Sequence, residues 1–154
     1  MTIEYLKKNN KKIAYCAKAG GAITFVFLGG FMSDMMGTKA THLENWAKKN
    51  HHGFLRFDYS GHGQSSGIFE RCNISDWVQD TLEIITEKTR GPIILIGSSM
   101  GGWISFLIYQ ELFARVAGIV TIAAAPDFTE DYFWANLSDK QKSELLSVGR
   151  VFLP

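Results

Sequence analysis

The fold of this 154-residue chain is decided by one stretch, Ile93-Ile94-Leu95-Ile96-Gly97-Ser98-Ser99-Met100-Gly101-Gly102. Its first four residues are all apolar and β-branched or leucine, which is typical of a strand buried on both faces. Beyond the glycines, apolar residues recur at helical spacing: Ile104, Leu107, Ile108 and Leu112. The stretch therefore predicts a strand, a sharp turn and a buried helix in direct succession.

The turn itself matches Gly-x-Ser-x-Gly, a pattern that places its serine on a strained bend between a strand and a helix. Small neighbours let the strand and the helix approach closely. The Ser99 hydroxyl is then expected at the carboxyl edge of the sheet, where open α/β sheets bind ligands. Ser98 is the rival nucleophile, but it would need glycines where Ile96 and Met100 stand. A purely structural glycine turn is the other alternative, and the flanking strand and helix favour Ser99 as a nucleophile.

Two backbone N–H groups are candidates for stabilising an oxyanion beside Ser99. The positive end of the following helix favours negative charge, which makes the N–H of Met100 the first candidate. The second is expected from the bend Gly29-Gly30, which follows the apolar run Ile23–Leu28. We select the N–H of Phe31, with Met32 next. A plain tight turn is the alternative for Gly29-Gly30.

The rest of the chain indicates an α/β sheet with an antiparallel start. Alternating residues around 3–5 and 13–17 predict a hairpin that turns at Asn9-Asn10. Further strands are predicted at Phe54–Phe57 and, as a buried strand, at Val116–Ala124. A helix is predicted from Thr38, with the apolar side made by Ala40, Leu43, Trp46 and Ala47. A second helix is predicted after a cap at Asn73. A third, short helix is predicted after a capping box at Ser138 and should end near Gly149. Alternating strands and helices favour parallel pairing, and we expect one domain over residues 1–154.

Composition narrows the class of function. The net charge is +1, and the lysines among residues 7–12 are typical of a solvated hairpin tip, so no nucleic-acid partner is expected. Cys16 and Cys72 have no metal-ligand spacing, and the longest apolar run, Val116–Ala125, is too short to span a bilayer. The start of the chain lacks a secretory h-region. These features predict a cytoplasmic protein without a membrane span that acts on a small acyl substrate.

Four segments in this order carry a family resemblance: Leu28–Asp34, Phe57–Ser65, Gly97–Gly102 and Ala124–Asp127. Together they resemble the α/β-hydrolase superfamily, and within it the bacterial relatives of the mitochondrial palmitoyl-protein thioesterase and acyl-glucuronidase type. The resemblance implies an α/β-hydrolase fold, Ser99 as nucleophile, Phe31 and Met100 as oxyanion donors, and no cofactor or metal. It also implies that His62 braces a structural loop.

A serine hydrolase of this fold needs an acid and a histidine after the serine, in that chain order. His42, His51, His52 and His62 all precede Ser99, and no histidine follows Ala125. Asp127 stands where some members of the superfamily take their acid, although a cap for a helix over 129–134 is the favoured interpretation. We therefore expect a C-terminally truncated or split hydrolase that lacks the last strands and helices and is nearly inactive alone.

Two kinds of function remain open at this point. The first is hydrolysis of carboxylic esters or thioesters, with the chain completed by a C-terminal partner chain. The second is a decayed, inactive hydrolase that acts as a binding or homo-oligomerisation module through an uncovered sheet edge. A nucleotide-binding protein is disfavoured because neither Gly-x-Gly-x-x-Gly nor a P-loop occurs.

Overall fold

The computed structural model describes residues 2–8 and 10–152 of the chain. Six strands form one sheet in the order β1-β2-β4-β3-β5-β6. The strands are β1 Glu4–Lys8, β2 Lys11–Lys18, β3 Thr24–Leu28, β4 Gly53–Phe57, β5 Ile93–Ser98 and β6 Val116–Ile122. The helices are α1 Thr38–Lys49, α2 Ile74–Lys88, α3 Met100–Leu112 and α4 Asp139–Val148. Short helical turns at Phe69–Arg71 and Thr129–Trp134 complete these elements.

The pairing confirms the predicted α/β architecture with an antiparallel start. β1 and β2 form an antiparallel hairpin, and β2 also pairs antiparallel with β4. β4, β3, β5 and β6 then run parallel to one another. Asn10 adopts a left-handed φ of 61°, as a tight hairpin turn requires. Its predicted partner in the turn, Asn9, lies outside the described residues.

The core lies on both faces of the sheet, because neighbouring strand residues point to opposite sides. On one face, Leu95 packs with Ile104 and Ile108 of α3 in the larger core cluster. On the other face, Ile96 packs with Ala40 and the other small and aromatic side chains beneath α1. β3 and β5 therefore carry apolar side chains on both sides, as their continuous apolar runs predict.

The predicted helix cap at Asn73 and the predicted capping box at Ser138 are both present. The Asn73 side chain accepts hydrogen bonds from the N–H groups of Ser75 and Asp76 at the start of α2. Ser138 accepts from the N–H of Gln141 at the start of α4, and Gly149 ends that helix with a left-handed φ of 79°. These caps pair backbone groups that a helix end would otherwise leave without partners.

Two predictions about burial are wrong. β6 ends at Ile122 and is not buried, since the exposed fractions of Val120 and Ile122 are 51% and 37%. The physical reason is its place at the end of the strand order, where no described strand pairs with its outer edge. In α1, Trp46 was expected on the core side but is 41% exposed, whereas Glu44 is buried. The cause is Arg56 of β4, whose Nε donates to the Glu44 carboxylate at 2.5 Å.

None of the helices within residues 2–8 and 10–152 has the length and apolar content needed to cross a bilayer.

Candidate active site

Ser99 occupies the bend between β5 and α3 in a strained backbone conformation. Its φ of 53° and ψ of −119° belong to a region that glycine adopts readily and other residues rarely do. The Ser99 N–H donates to the carbonyl oxygen of Ile122 at 3.0 Å. The Ser99 carbonyl accepts from the N–H groups of Gly102 and Ala125 at 2.9 and 3.2 Å. The bend is therefore held from α3 and from the end of β6 together.

The glycines around Ser99 are required by close backbone approach. A Cβ on Gly97 would contact the backbone of Gly101, with its carbonyl carbon only 2.6 Å away. A Cβ on Gly101 would contact the Leu28 carbonyl and stand 2.6 Å from the Gly29 oxygen. A larger residue at either position would push β5, α3 and the end of β3 apart. The glycines thus bring the Ser99 bend against the segment that follows β3.

A pocket of about 320 Å³ opens beside Ser99, between the β3–α1 loop and the start of α1. Ser99 is half-buried and lines this pocket with Phe31. An ideal Cβ on Gly30 would stand 3.3 Å from the Ser99 Cβ, so the loop passes directly over the serine. Met100 is the first residue of α3, where backbone N–H groups have no intrahelical partner. The fold therefore brings Ser99, Phe31 and Met100 into one neighbourhood.

The Phe31 side chain forms the wall between that pocket and an aromatic surface. Its ring centroid lies 5.1 to 6.1 Å from those of four aromatic residues, Phe69, Trp77, Phe128 and Phe133. A second, wider pocket of about 550 Å³ lies on this side, lined by Phe31 together with Trp77, Trp103 and Phe133. Phe31 therefore lines both the Ser99 pocket and the wider aromatic groove on its other side.

A buried polar cluster holds the loop that contains Phe31. The Asp58 carboxylate accepts the Met35 N–H at 2.6 Å and the Gln64 N–H at 2.8 Å. The Tyr59 hydroxyl donates to the Gly29 carbonyl at 3.2 Å. Burial raises the pKa of Asp58, while the two N–H donors act in the opposite direction. Sequence reasoning assigned residues 58–65 only a structural role and did not find these bonds.

The four histidines lie away from the Ser99 pocket. His62 is 4% exposed, its ring packs against Tyr59 and Trp77, and Nδ1 lies 3.3 Å from the Ser60 carbonyl. Burial lowers the pKa of His62. His42 and His51 are exposed, and His52 stacks on a tryptophan of α1. None of the four lines the pocket beside Ser99.

The favoured interpretation of Asp127 as a side-chain cap is wrong. Phe128 holds the cap position of the turn Thr129–Trp134, and no side chain caps it. Asp127 instead has a left-handed φ of 50°, and its backbone carbonyl accepts the N–H groups of Glu130 and Asp131. The first N–H groups of this turn are therefore bonded to the backbone carbonyl of Asp127 and not to its carboxylate. Asp127 is exposed and does not line the Ser99 pocket.

Over the described part of the chain, no three His, Cys, Asp or Glu side chains are grouped in a way that could hold a metal ion.

The sheet order, the antiparallel start and a serine on the turn after a central parallel strand define the chain as an α/β hydrolase by fold. The family model for serine aminopeptidase, S33, matches residues 9–151. The chain therefore belongs to this family.

Individual relatives agree with this assignment. The chain is 34% identical over 154 residues to palmitoyl-protein thioesterase ABHD10, mitochondrial, from Rattus norvegicus, covering 99% of this chain and 52% of the relative. The solved structure of alpha/beta hydrolase domain-containing protein 10 from mouse superposes with a TM-score of 0.91 at 32% identity, covering 100% of this chain and 62% of that one. A putative hydrolase from Agrobacterium vitis S4 gives a TM-score of 0.87 at 39% identity, with 97% and 63% covered. The chain thus spans about half the length of the curated relative and under two thirds of each solved chain.

Proposed function

We propose that this chain carries the nucleophile and oxyanion-binding part of a serine hydrolase that acts on carboxylic esters or thioesters. Ser99 is the nucleophile in this proposal, and the N–H groups of Phe31 and Met100 bind the oxyanion. The observation that carries it is the strained backbone of Ser99 at a pocket mouth. Strain in a non-glycine residue persists only where the surroundings enforce it, and such residues cluster at active sites.

The chemistry follows from this arrangement. The Ser99 hydroxyl adds to the carbonyl carbon of the substrate, and the carbonyl oxygen becomes an oxyanion. Preorganised N–H donors stabilise that charge as it forms. Collapse of the intermediate expels the alcohol or thiol, which leaves with the proton taken from Ser99. Water then hydrolyses the acyl-serine ester and releases the carboxylic acid.

The aromatic groove on the far side of Phe31 supports an acyl substrate. Four of its nine lining residues are aromatic, and apolar walls with few polar groups are typical of small-molecule sites. In the proposal, the acyl chain of the substrate runs along Trp77, Trp103 and Phe133. The palmitoyl-protein thioesterase name of the rat relative is consistent with an acyl group of this kind.

The base and its acid partner come, in the proposal, from polypeptide beyond these 154 residues. None of the four histidines lines the Ser99 pocket, and the relatives are much longer than the region that matches this chain. A serine without a base is a weak nucleophile at neutral pH. The single-domain organisation and the cytoplasmic location remain predictions; the rat relative carries a mitochondrial name.

Labelling with a fluorophosphonate probe tests the proposal. We expect slow labelling of the chain alone, and faster labelling when the C-terminal part of the Agrobacterium vitis relative is added as a separate polypeptide. Ser99→Ala should abolish the signal in both conditions. Ser98→Ala is the matched control, because Ser98 is the adjacent serine on the same turn, and it should leave labelling intact.

Each other outcome has a definite meaning. Rapid labelling of the chain alone that depends on Ser99 would show that a base is already present. Labelling that survives Ser99→Ala, or no labelling with either preparation, would refute the hydrolase proposal.

A second candidate function rests on the outer edge of β6. No described strand pairs with this edge, and an unpaired strand edge is a template for pairing with another chain. A binding or oligomerisation module would use this edge without using Ser99. Its molecular mass by size-exclusion chromatography with light scattering would then exceed that of a monomer and would not change in Ser99→Ala. A monomer would refute edge pairing between copies.

A further inference from the structure

The loop that carries Phe31 is held at both ends by two consecutive residues of another segment. At its start, the Gly29 carbonyl accepts the Tyr59 hydroxyl at 3.2 Å. At its end, the Met35 N–H donates to Asp58 Oδ1 at 2.6 Å. Phe31 lies between these two points, two residues from the first and four from the second. The loop is therefore tied at both ends to the segment that follows β4.

The second hold is reinforced from the opposite direction. Arg56 Nη1 donates to the Met35 carbonyl at 2.5 Å, so both polar groups of Met35 are engaged by side chains from the end of β4 and the residues that follow it. All three holding residues are nearly fully buried: Arg56, Asp58 and Tyr59 are 3%, 2% and 2% exposed. Hydrogen bonds in such surroundings are shielded from competing water and are stronger than exposed ones.

The holding segment is itself fixed. Asp58 Oδ2 accepts the Gln64 N–H at 2.8 Å, and the Ser65 hydroxyl donates to the Asp58 carbonyl at 2.6 Å. A Cβ on Gly63 would contact the Asp58 carboxylate, so glycine at this position lets the turn close around it. The ring of Tyr59 packs against Phe57 and His62. Asp58 and Tyr59 are therefore held by contacts within their own segment as well as by their bonds to the loop.

We propose that Tyr59 and Asp58 are positioning residues for the oxyanion site: they fix the backbone of Gly29 and Met35 and thereby aim the N–H of Phe31 at the Ser99 pocket. This inference rests on the proposed function of Phe31. An oxyanion donor stabilises charge only when its direction is set before the reaction begins. The hydroxyl of Tyr59 would then affect catalysis without touching substrate.

Tyr59→Phe is the decisive variant, because it removes one hydroxyl and keeps the packed ring. Tyr15→Phe is its matched control. Tyr15 is also buried, its hydroxyl donates to a side chain, Glu4 at 2.9 Å, and it lies on β2 away from the loop. Asp58→Asn is the second variant, since the Met35 and Gln64 N–H groups bond to different carboxylate oxygens and the amide replaces one of these acceptors with an NH2 donor.

The first measurement is hydrogen exchange of the Met35 amide, which is bonded to Asp58 at the end of the loop, in the full chain and followed by NMR. Loss of one buried hydrogen bond should raise the exchange rate in Tyr59→Phe by roughly 2- to 10-fold, and more in Asp58→Asn. Tyr15→Phe should leave it at the wild-type rate. Amides of the β3–β5 ladder should exchange as in the wild type in all three variants, which separates loop release from general destabilisation.

The second measurement is residual hydrolysis of p-nitrophenyl acetate. Hydrolases that lack triad members retain catalysis from the oxyanion site, so the residual rate reports on that site. Tyr59→Phe should lower kcat by roughly 2- to 10-fold and leave KM unchanged, because the donor acts on the transition state. Tyr15→Phe should match the wild type.

The outcomes distinguish this inference from the proposed function. Unchanged exchange and unchanged kcat in Tyr59→Phe would overturn the inference. A wild-type chain that hydrolyses the ester no faster than buffer would refute the oxyanion assignment itself. Faster Met35 exchange in Tyr59→Phe with unchanged kcat would show that the loop is anchored as described but that the anchoring does not serve catalysis, and this too would overturn the inference.

Discussion

Replacing Ser99 by glycine should stabilise this protein relative to replacing it by alanine. Both variants lose the hydroxyl, so they differ in the cost of a positive φ and in the flexibility of the unfolded chain. A non-glycine residue in such a region costs about 1 to 3 kcal/mol, and Ser99 has a φ of 53°. Glycine loses about 0.5 to 1 kcal/mol more on folding because its unfolded chain is more flexible. The balance favours Ser99→Gly over Ser99→Ala by about 1 kcal/mol.

Thermal and urea unfolding measure this difference. For a chain of this size, about 1 kcal/mol corresponds to a rise in Tm of roughly 2 to 4 °C. The matched control is the pair Ser105→Gly and Ser105→Ala in α3, where the order should reverse because glycine weakens a helix interior by about 1 kcal/mol. Equal or greater stability of Ser99→Ala than of Ser99→Gly would refute the view that the Ser99 bend stores strain.

Three further predictions concern stability. Burial lowers the pKa of His62 below its ordinary 6.5, so the unfolded chain takes up the proton first as the pH falls. The free energy of unfolding should therefore fall as the pH is lowered below 6.5, and urea titrations at a series of pH values would detect this. The dependence of the unfolding free energy on pH should be weaker in His62→Gln and unchanged in His42→Gln. Gly101→Ala should lower the free energy of unfolding by about 3 kcal/mol, because its Cβ would stand 2.6 Å from a backbone oxygen just after β3, whereas Gly118→Ala in open space should change it by under about 1 kcal/mol by the same assay. Ile104→Ala should cost about 2 to 5 kcal/mol by calorimetry, since this side chain is fully buried.

Much of the fold could be predicted from local patterns. The apolar runs of β3 and β5 and the helical spacing in α2 and α3 each depend on residues close together in the chain, and the caps at Asn73 and Ser138 are set by side chains three positions apart. The position of Ser99 on the bend after β5 follows from the same kind of local evidence, because glycine spacing and flanking periodicity are visible in sequence.

The bonds that hold the β3–α1 loop could not be predicted in this way. Tyr59 reaches Gly29 across 30 residues of sequence, and Asp58 reaches Met35 across 23. Their pairing depends on β3 and β4 lying side by side. The only local sign was a charged residue, Arg56, within the otherwise apolar run Phe54–Phe57. The prediction that β6 is buried was wrong for a related reason. An apolar run shows that a strand can be covered, but it does not show that another element covers it.

The edge strand β6 also supplies part of the backbone that holds Ser99. The Ser99 N–H bonds to Ile122 at the end of β6, and the Ala125 N–H returns to the Ser99 carbonyl just beyond it. A polypeptide added along β6 would stiffen that strand and, through these two peptide groups, the serine bend as well. Pairing at this edge would therefore act on the same backbone that holds the Ser99 bend.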